Sequence, residues 1–186
     1  MTDTFSKALS HTLGIEGGFT DDPKDSGGAT NYGITESKAR AWGYLGPMNQ
    51  LPKELAVRIY RKDYWDALQL DRVAFLDERI AMEMFDTGVN CGVGVPVKFL
   101  QRALNIFNRE GKDYPDLTVD GVIGQNTLSA LGAFLTLRGR LGVDVMMTAL
   151  NCLQGAFYTE LAERRPKDEA FTFGWFANRV LDRSAP

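Results

Sequence analysis

One histidine, His11, and two cysteines, Cys91 and Cys152, are all that 186 residues contain of those types. That scarcity removes whole classes of chemistry. His11 lies well off the apolar stripe Phe5–Leu9–Leu13 of its own segment and reads as an exposed surface residue. An imidazole-activated serine or cysteine nucleophile is therefore disfavoured, and metal sites built from His and Cys are as poorly supplied. The chain has no G-x-x-x-x-G-K-[ST] loop and no G-x-G-x-x-G after a strand, so nucleotide chemistry has no cradle. The stretch Asp116…Asp120-Gly121 lacks the acidic ligands of a calcium loop at their offsets. No metal and no cofactor is expected. The two cysteines give no disulfide framework and read as free, buried thiols, as suits a reducing cytoplasm.

Other absences bound the partners. The formal charge is −3 with no basic stripe, which argues against nucleic acid, whose phosphates need many cations. No stretch approaches the roughly 18 apolar residues of a membrane span, so no stable membrane insertion is expected. Met1-Thr-Asp-Thr-Phe-Ser-Lys7 lacks the basic-then-apolar shape of a signal peptide. The chain is expected to be made in the bacterial cytoplasm, as a monomer. No Ser/Gly or Pro-rich linker appears.

What is present is helical periodicity. Residues 4–16 carry Phe5, Ala8, Leu9, Thr12 and Leu13 at helical spacing, ended by Gly17-Gly18. Residues 20–35, rich in Gly, Asp, Asn and Pro, read as a shaped loop with a small hairpin. Residues 36–45, 52–67 and 73–87 come next as helices, the last broken by Gly88-Val-Asn-Cys-Gly92. Pro96 opens another, and a polar loop spans 108–124. Helices are expected at 126–138 and 142–165, the second with Val145, Ala149, Cys152, Leu153, Ala156, Phe157 and Leu161 inward, stopped by Pro166. A last helix holds Phe171, Trp175, Val180 and Leu181. The fold class is mainly α, in two lobes, 1–92 and 93–186, packed into one body.

With imidazole, thiol and metal chemistry set aside, carboxylates remain. Glu16 lies eleven positions after Phe5, roughly 20° away on a helical wheel. A carboxyl there sits on the apolar face, in the last turn, against the negative end of the helix dipole. Both conditions favour its protonated form, which a general acid near neutral pH requires. An ordinary Glu paired with an Arg, or turned to solvent, would fit the same position.

The residues after Glu16 bear on that choice. Glu16-Gly-Gly-Phe-Thr-Asp-Asp-Pro-Lys-Asp25-Ser-Gly-Gly-Ala-Thr30-Asn-Tyr-Gly33-Ile-Thr35 resembles the signature E-G-G-[YF]…D-x-G-G-x-T-x-x-G-I-T of glycoside hydrolase family 108, the bacterial and phage N-acetylmuramidases, with Phe19 where Tyr is usual. The resemblance continues through Tyr60-Arg-Lys-Asp-Tyr-Trp65, Asp86-Thr-Gly-Val-Asn90-Cys-Gly92, Leu100-Gln-Arg-Ala-Leu104, Asp120-Gly-Val-Ile-Gly-Gln-Asn-Thr127, Phe157-Tyr-Thr-Glu-Leu161 and Trp175-Phe-Ala-Asn-Arg179. It covers essentially the whole chain. It implies a lysozyme-like helical fold with a C-terminal region of the kind labelled peptidoglycan-binding. It also implies hydrolysis of the β-1,4 bond between N-acetylmuramic acid and N-acetylglucosamine, the glycan strand of peptidoglycan being the partner.

Asp25 lies nine residues after Glu16 and Thr30 fourteen. This looks like the Glu…Asp…Thr set of phage-type lysozymes, whose Thr lies one residue further on. In that set Glu protonates the glycosidic oxygen while Asp and Thr position water, the wider geometry of an inverting enzyme. Asp25 could equally cap its loop through the Gly27 or Gly28 amides. Tyr32, Tyr64, Trp65 and Asn90 are candidates for the glycan cleft. Tyr64 and Trp65 could also be core aromatics, Asn90 a left-handed helix end, and the Asp120…Thr127 element a helix cap. A lytic transglycosylase or glucosaminidase, and a non-catalytic wall-binding or secretion-accessory protein, are the competing readings. For a wall substrate, delivery to the periplasm would need a holin or another export route.

Overall fold

The computed structural model describes residues 3–15, 18–20 and 28–181, so Glu16 and Asp25 lie outside the described residues. The chain is mainly helical, with one two-stranded antiparallel hairpin among the described residues. It divides into two compact units, one ending at Ala67 and the other beginning at Leu68. Among the described residues no helix is long and apolar enough to cross a membrane.

The first unit opens with helix α1, Thr4–Ile15. Asp3 starts it, its Oδ1 accepting the Ser6 amide at 2.7 Å, and that bond holds the carboxyl below its usual range. Phe5, Ala8, Leu9 and Thr12 are buried at the expected helical spacing, and His11 is exposed, as expected. The expected hairpin consists of β1, Thr30–Asn31, and β2, Ile34–Thr35, with Thr30 opposite Thr35 and Asn31 opposite Ile34. Thr35 then caps α2, Glu36–Ala41, its hydroxyl accepting the Lys38 amide. A 3-10 turn at Met48–Gln50 leads to α3, Lys53–Tyr60, which begins just after Pro52. The helix expected over 52–67 changes pitch midway: Arg61–Asp66 is a π-type turn.

In the second unit the single helix expected over 73–87 is two, α4, Leu70–Leu76, and α5, Glu78–Cys91. Asp77 separates them. Its backbone is extended and its carboxylate accepts the Ile80 amide at 3.0 Å, so a side-chain cap replaces helix continuity. Helix α5 runs through Gly88 and ends at Gly92, φ 91°. A Cβ at Gly88 would stand 2.8 Å from Leu68 Cδ1, so that glycine serves close packing and not helix termination. Helix α6, Gly94–Phe107, has Pro96 in its first turn, where no amide is missed.

Helix α7, Gln125–Arg164, holds both helices expected after the loop. They meet at Gly139, whose φ of 58° and ψ of −149° interrupt the helical path. The buried face of its second half is not the expected one. Met146, Leu150, Gln154, Tyr158 and Ala162 are buried, a strict i, i+4 row. Cys152 is exposed, about 200° round the helix from Leu150, and Val145 is 39% exposed. The row contains a polar residue, Gln154, whose Nε2 donates to Thr87 Oγ1 at 2.9 Å while its Oε1 is buried without a hydrogen-bond partner among the described residues. Pro166 comes after the helix end, and α8, Glu169–Trp175, precedes a π-type turn at Phe176–Val180.

Helix α5 packs against α6 and α7, and a buried ion pair ties it to the turn at Phe176–Val180. Arg179 Nη1 donates to Asp86 Oδ1 at 2.7 Å, with side chains only 7% and 12% exposed. Removing one partner of such a pair strands the other charge in a poor solvent, at a cost of about 3–5 kcal/mol. Arg179→Met should therefore lower the denaturant midpoint of the second unit strongly, whereas Arg164→Met, at an exposed i,i+4 pair with Glu160, should move it little.

The two cysteines are free, but only Cys91 is sheltered, and burial pushes its thiol up to about 11. Titration with a disulfide reagent at pH 8 should show one fast thiol, Cys152, and one slow one, because the thiolate is the reacting species. Cys152→Ser should remove the fast phase alone.

Candidate functional site

The hairpin is the part of the motif-rich loop that the structure describes, and its geometry comes from two sequence choices. The register leaves Tyr32-Gly33 as a two-residue turn, and both have positive φ, 52° and 70°. That is the turn whose twist matches the flanking strands. Alternation then sends Asn31 inward, 6% exposed, where its Nδ2 donates to the Met48 carbonyl at 2.8 Å. Thr30 and Tyr32, either side of it, stay half-buried. Thr30 also pairs with Thr20 through two backbone bonds of 2.8 Å and donates its hydroxyl to the Gly28 carbonyl at 3.3 Å.

Tyr60 joins the hairpin to α3. It is 1% exposed and its hydroxyl donates to the Tyr32 carbonyl at 3.0 Å. Its ring lies 5.7 Å from that of Tyr64, so Tyr32 and Tyr64 share one buried neighbour. Tyr64 is half-buried, with the Lys38 ammonium 5.6 Å from its ring centroid. Lys38 Nζ also donates to Asp63 Oδ2 at 2.8 Å, and Trp42 Nε1 donates to the same oxygen at 3.1 Å. The bond to Asp63 raises Lys38 above the usual lysine range. Burial works against the Asp63 charge, yet the bonds from Lys38 and Trp42 outweigh it and hold that carboxyl low. The pair stays charged near neutral pH and braces the half-buried face around Tyr64.

Trp65 does not belong to that face. It is fully buried, edge-on to Phe5 at 5.4 Å with the Arg61 guanidinium over both rings. The π-type turn carries it into the core, so it packs and cannot stack on a sugar. Asn90 belongs to the second unit. It is exposed and helical, its Nδ2 donating to the Asp86 carbonyl at 2.7 Å, and the left-handed position expected there falls at Gly92. Sequence reasoning passed over Asn31, Lys38, Tyr60 and Asp63. Tyr60 and Asp63 were within reach, since both stand in the Tyr60…Trp65 motif.

The Asp120…Thr127 element does not cap α7, whose first residue comes after Gly124 with no side-chain cap. Asp120 instead accepts from the Val122 amide at 2.9 Å and from Gln101 Nε2 at 2.8 Å, while Gln101 Oε1 accepts the Gly121 amide. The buried Gln101 of α6 thus clasps the loop. Beside it opens a cleft of about 800 Å³, lined among others by Asp113, Asp116, Thr118, Gln125 and Asn126. Among the described residues no group of three or more His, Cys, Asp or Glu could hold a metal.

Residues 9–92 match the family model described as Glycosyl hydrolase 108, and residues 95–180 match the one described as Predicted Peptidoglycan domain. Eleven chains of solved structures match. One is described as the structure of Brucella abortus SagA. It is 31% identical over 95% of this chain and 89% of that one, with a TM-score of 0.71. No curated protein matches the chain. The chain therefore belongs to the glycosyl hydrolase 108 family and is a glycoside hydrolase that acts on peptidoglycan.

Proposed function

We propose that the protein is an N-acetylmuramidase that hydrolyses the β-1,4 bond between N-acetylmuramic acid and N-acetylglucosamine, with Glu16 as general acid and Asp25 and Thr30 positioning the attacking water. The observation that carries the reading is the hairpin. Thr30 and Tyr32 stay half-buried on either side of an inward Asn31, fourteen and sixteen residues after Glu16 within a family motif. A hydroxyl can hold a water there, and the phenol rings of Tyr32 and Tyr64 suit the faces and N-acetyl groups of a sugar chain. Asn90 on α5 is a further substrate contact in this reading. With a water between acid and base the reaction inverts the anomeric centre. In this reading the protein acts on the wall in the periplasm, which it would reach through a holin or another export route.

Glu16→Gln keeps shape and removes the transferable proton, so activity on purified sacculi should fall by roughly 100- to 10,000-fold with an unchanged circular dichroism spectrum. Mass spectrometry of the wild-type products should show reducing N-acetylmuramic acid ends, and early NMR should show the α-anomer. Anhydro ends would make it a transglycosylase. A Glu16→Gln protein clearing walls at the wild-type rate would remove Glu16 from the mechanism.

The C-terminal region in this reading completes the enzyme and is not a detachable binding module. The 9–92 match runs past Ala67 into the second unit, where α5 packs on α6 and α7. A cut at residue 92 would break that packing and the Asp86–Arg179 pair. Fragment 1–92 should be aggregated or molten and inactive. A folded, cleaving 1–92 would overturn the proposal, as would a folded 93–186 that pulls down sacculi by itself.

A further inference from the structure

Tyr32 occupies a position its residue type does not favour. A two-residue turn with both φ values positive calls for Asn, Asp or Gly at its first place. Gly33 satisfies the second place, but the first is a tyrosine at φ 52°. A bulky residue in the left-handed region is strained and persists only where its surroundings over-determine it. The surroundings here do so from both sides. Asn31, immediately before, is pinned through its side chain to the Met48 carbonyl at 2.8 Å. The Tyr32 carbonyl itself takes the hydroxyl of the buried Tyr60 at 3.0 Å. The core tolerates a buried phenol for the sake of that bond, since phenylalanine would fill the same space without a polar atom to satisfy. The Tyr32 ring is half-buried and lies outside the core. Strain that packing does not require points to a task for the side chain.

We propose that Tyr60 is a positioning residue of this hydrolase, its hydroxyl holding Tyr32 in the left-handed turn so that Tyr32 presents its ring to an N-acetylated sugar of the substrate. The inference rests on the reading that the hairpin contacts the glycan. Tyr60 itself touches no substrate and acts through the Tyr32 backbone. Asn at position 32 would suit the turn better and bind the sugar worse, so stability and binding should move in opposite directions. A merely structural tyrosine would not separate them.

The test uses the full chain and soluble peptidoglycan strands, with melting temperature and KM read on each variant. Tyr32→Asn should raise the melting temperature by about 2–4 °C and raise KM on the order of tenfold, with kcat changed little, since the lost contact is a binding one. Tyr32→Phe keeps the ring and the strain and should stay near wild type in both measures. Tyr60→Phe should raise KM in the wild-type background and add nothing to Tyr32→Asn, because it acts through that residue. Tyr32→Gly, which relieves the strain most fully, should reproduce the Tyr32→Asn pattern. An active wild type beside a Tyr32→Asn protein with unchanged KM, or with an unchanged or lower melting temperature, overturns the proposal alone. Additive effects of Tyr60→Phe and Tyr32→Asn do the same. A wild-type chain that releases no sugar fragments overturns the hydrolase reading, and this proposal with it.

Discussion

The bond from the Tyr60 hydroxyl to the Tyr32 carbonyl, 3.0 Å long and starting from a 1% exposed side chain, is the constraint around which the first unit is arranged. It joins α3 to the hairpin across 28 residues of sequence. With Tyr32 held, the turn keeps its two positive φ angles, Asn31 points inward and Thr30 does not. The same tyrosine ring backs Tyr64. One buried polar atom therefore sets the direction of several half-buried side chains. A hydrophobic core would hold α3 as firmly but could not fix the phase of a two-residue turn. Directional bonds do that, and they do it best where water cannot compete.

The second unit obeys a different rule. Its core contains polar groups that link distant stretches: Asp86 with Arg179, Gln154 with Thr87, Gln101 with the 120–122 loop. Each is tolerable only because a partner is supplied by another element. Each partner pair also fixes a register, since a helix that slid by one residue would leave a buried group unmatched. Two of them, Asp86 with Arg179 and Thr87 with Gln154, bridge the boundary between the two family matches at 92–95, which does not coincide with the boundary between compact units at Ala67. Sequence similarity tracks how segments are inherited together, whereas compactness tracks where buried partners are found. Asp86 and Arg179 lie on either side of the first boundary and within one unit of the second.

What could be read from the sequence was the periodicity and the punctuation. Helix α1 with its Phe5–Ala8–Leu9–Thr12 stripe, the hairpin within 20–35, Pro96 in the first turn of α6 and the stop at Pro166 were all legible, because local sequence controls each of them. The misplacements share a cause. The break at Asp77 was hidden because charged residues such as Asp77-Glu78-Arg79 also occur on the solvent face of an unbroken helix, and a cap is only one residue long. The buried row of α7 was placed on the wrong face because Gln154 lies in it and Cys152 does not, and a polar residue with a distant partner looks like surface. Trp65 looked like a sugar platform because residue type says nothing of direction, and a π-type turn rotates the side chains it carries. Tyr60 was quoted within a motif and passed over, since its function lies in one hydroxyl whose acceptor is far away in sequence. For Gln154, Trp65 and Tyr60 the deciding fact was a partner distant in sequence.

The placement of Trp65 also bears on the helix that precedes Glu16 in the sequence. Trp65 packs edge-on against Phe5 of α1, and Arg61 lies over both rings at 5.2 and 5.9 Å. Helix α1 ends at Ile15, the residue before Glu16 in the sequence. The aromatic pair, with Ala8 and Leu9 buried beside it in the same stripe, fixes how α1 lies on the core, and a rigid helix carries that placement to its last turn. General acid catalysis depends on holding the proton donor within hydrogen-bond reach of the glycosidic oxygen, and a displacement near 1 Å can cost about a hundredfold in rate. A tryptophan with no access to the sugar would thus serve the proposed site as much as one that touches it, because it seats the helix that precedes Glu16 in the sequence. The segment Tyr60–Trp65 then has a division of labour: Tyr60 orients the hairpin, Asp63 and Lys38 brace the face of Tyr64, and Trp65 anchors α1. The side chains of this one turn leave in different directions, Tyr60 toward the hairpin, Asp63 toward Lys38 and Trp42, and Trp65 toward Phe5.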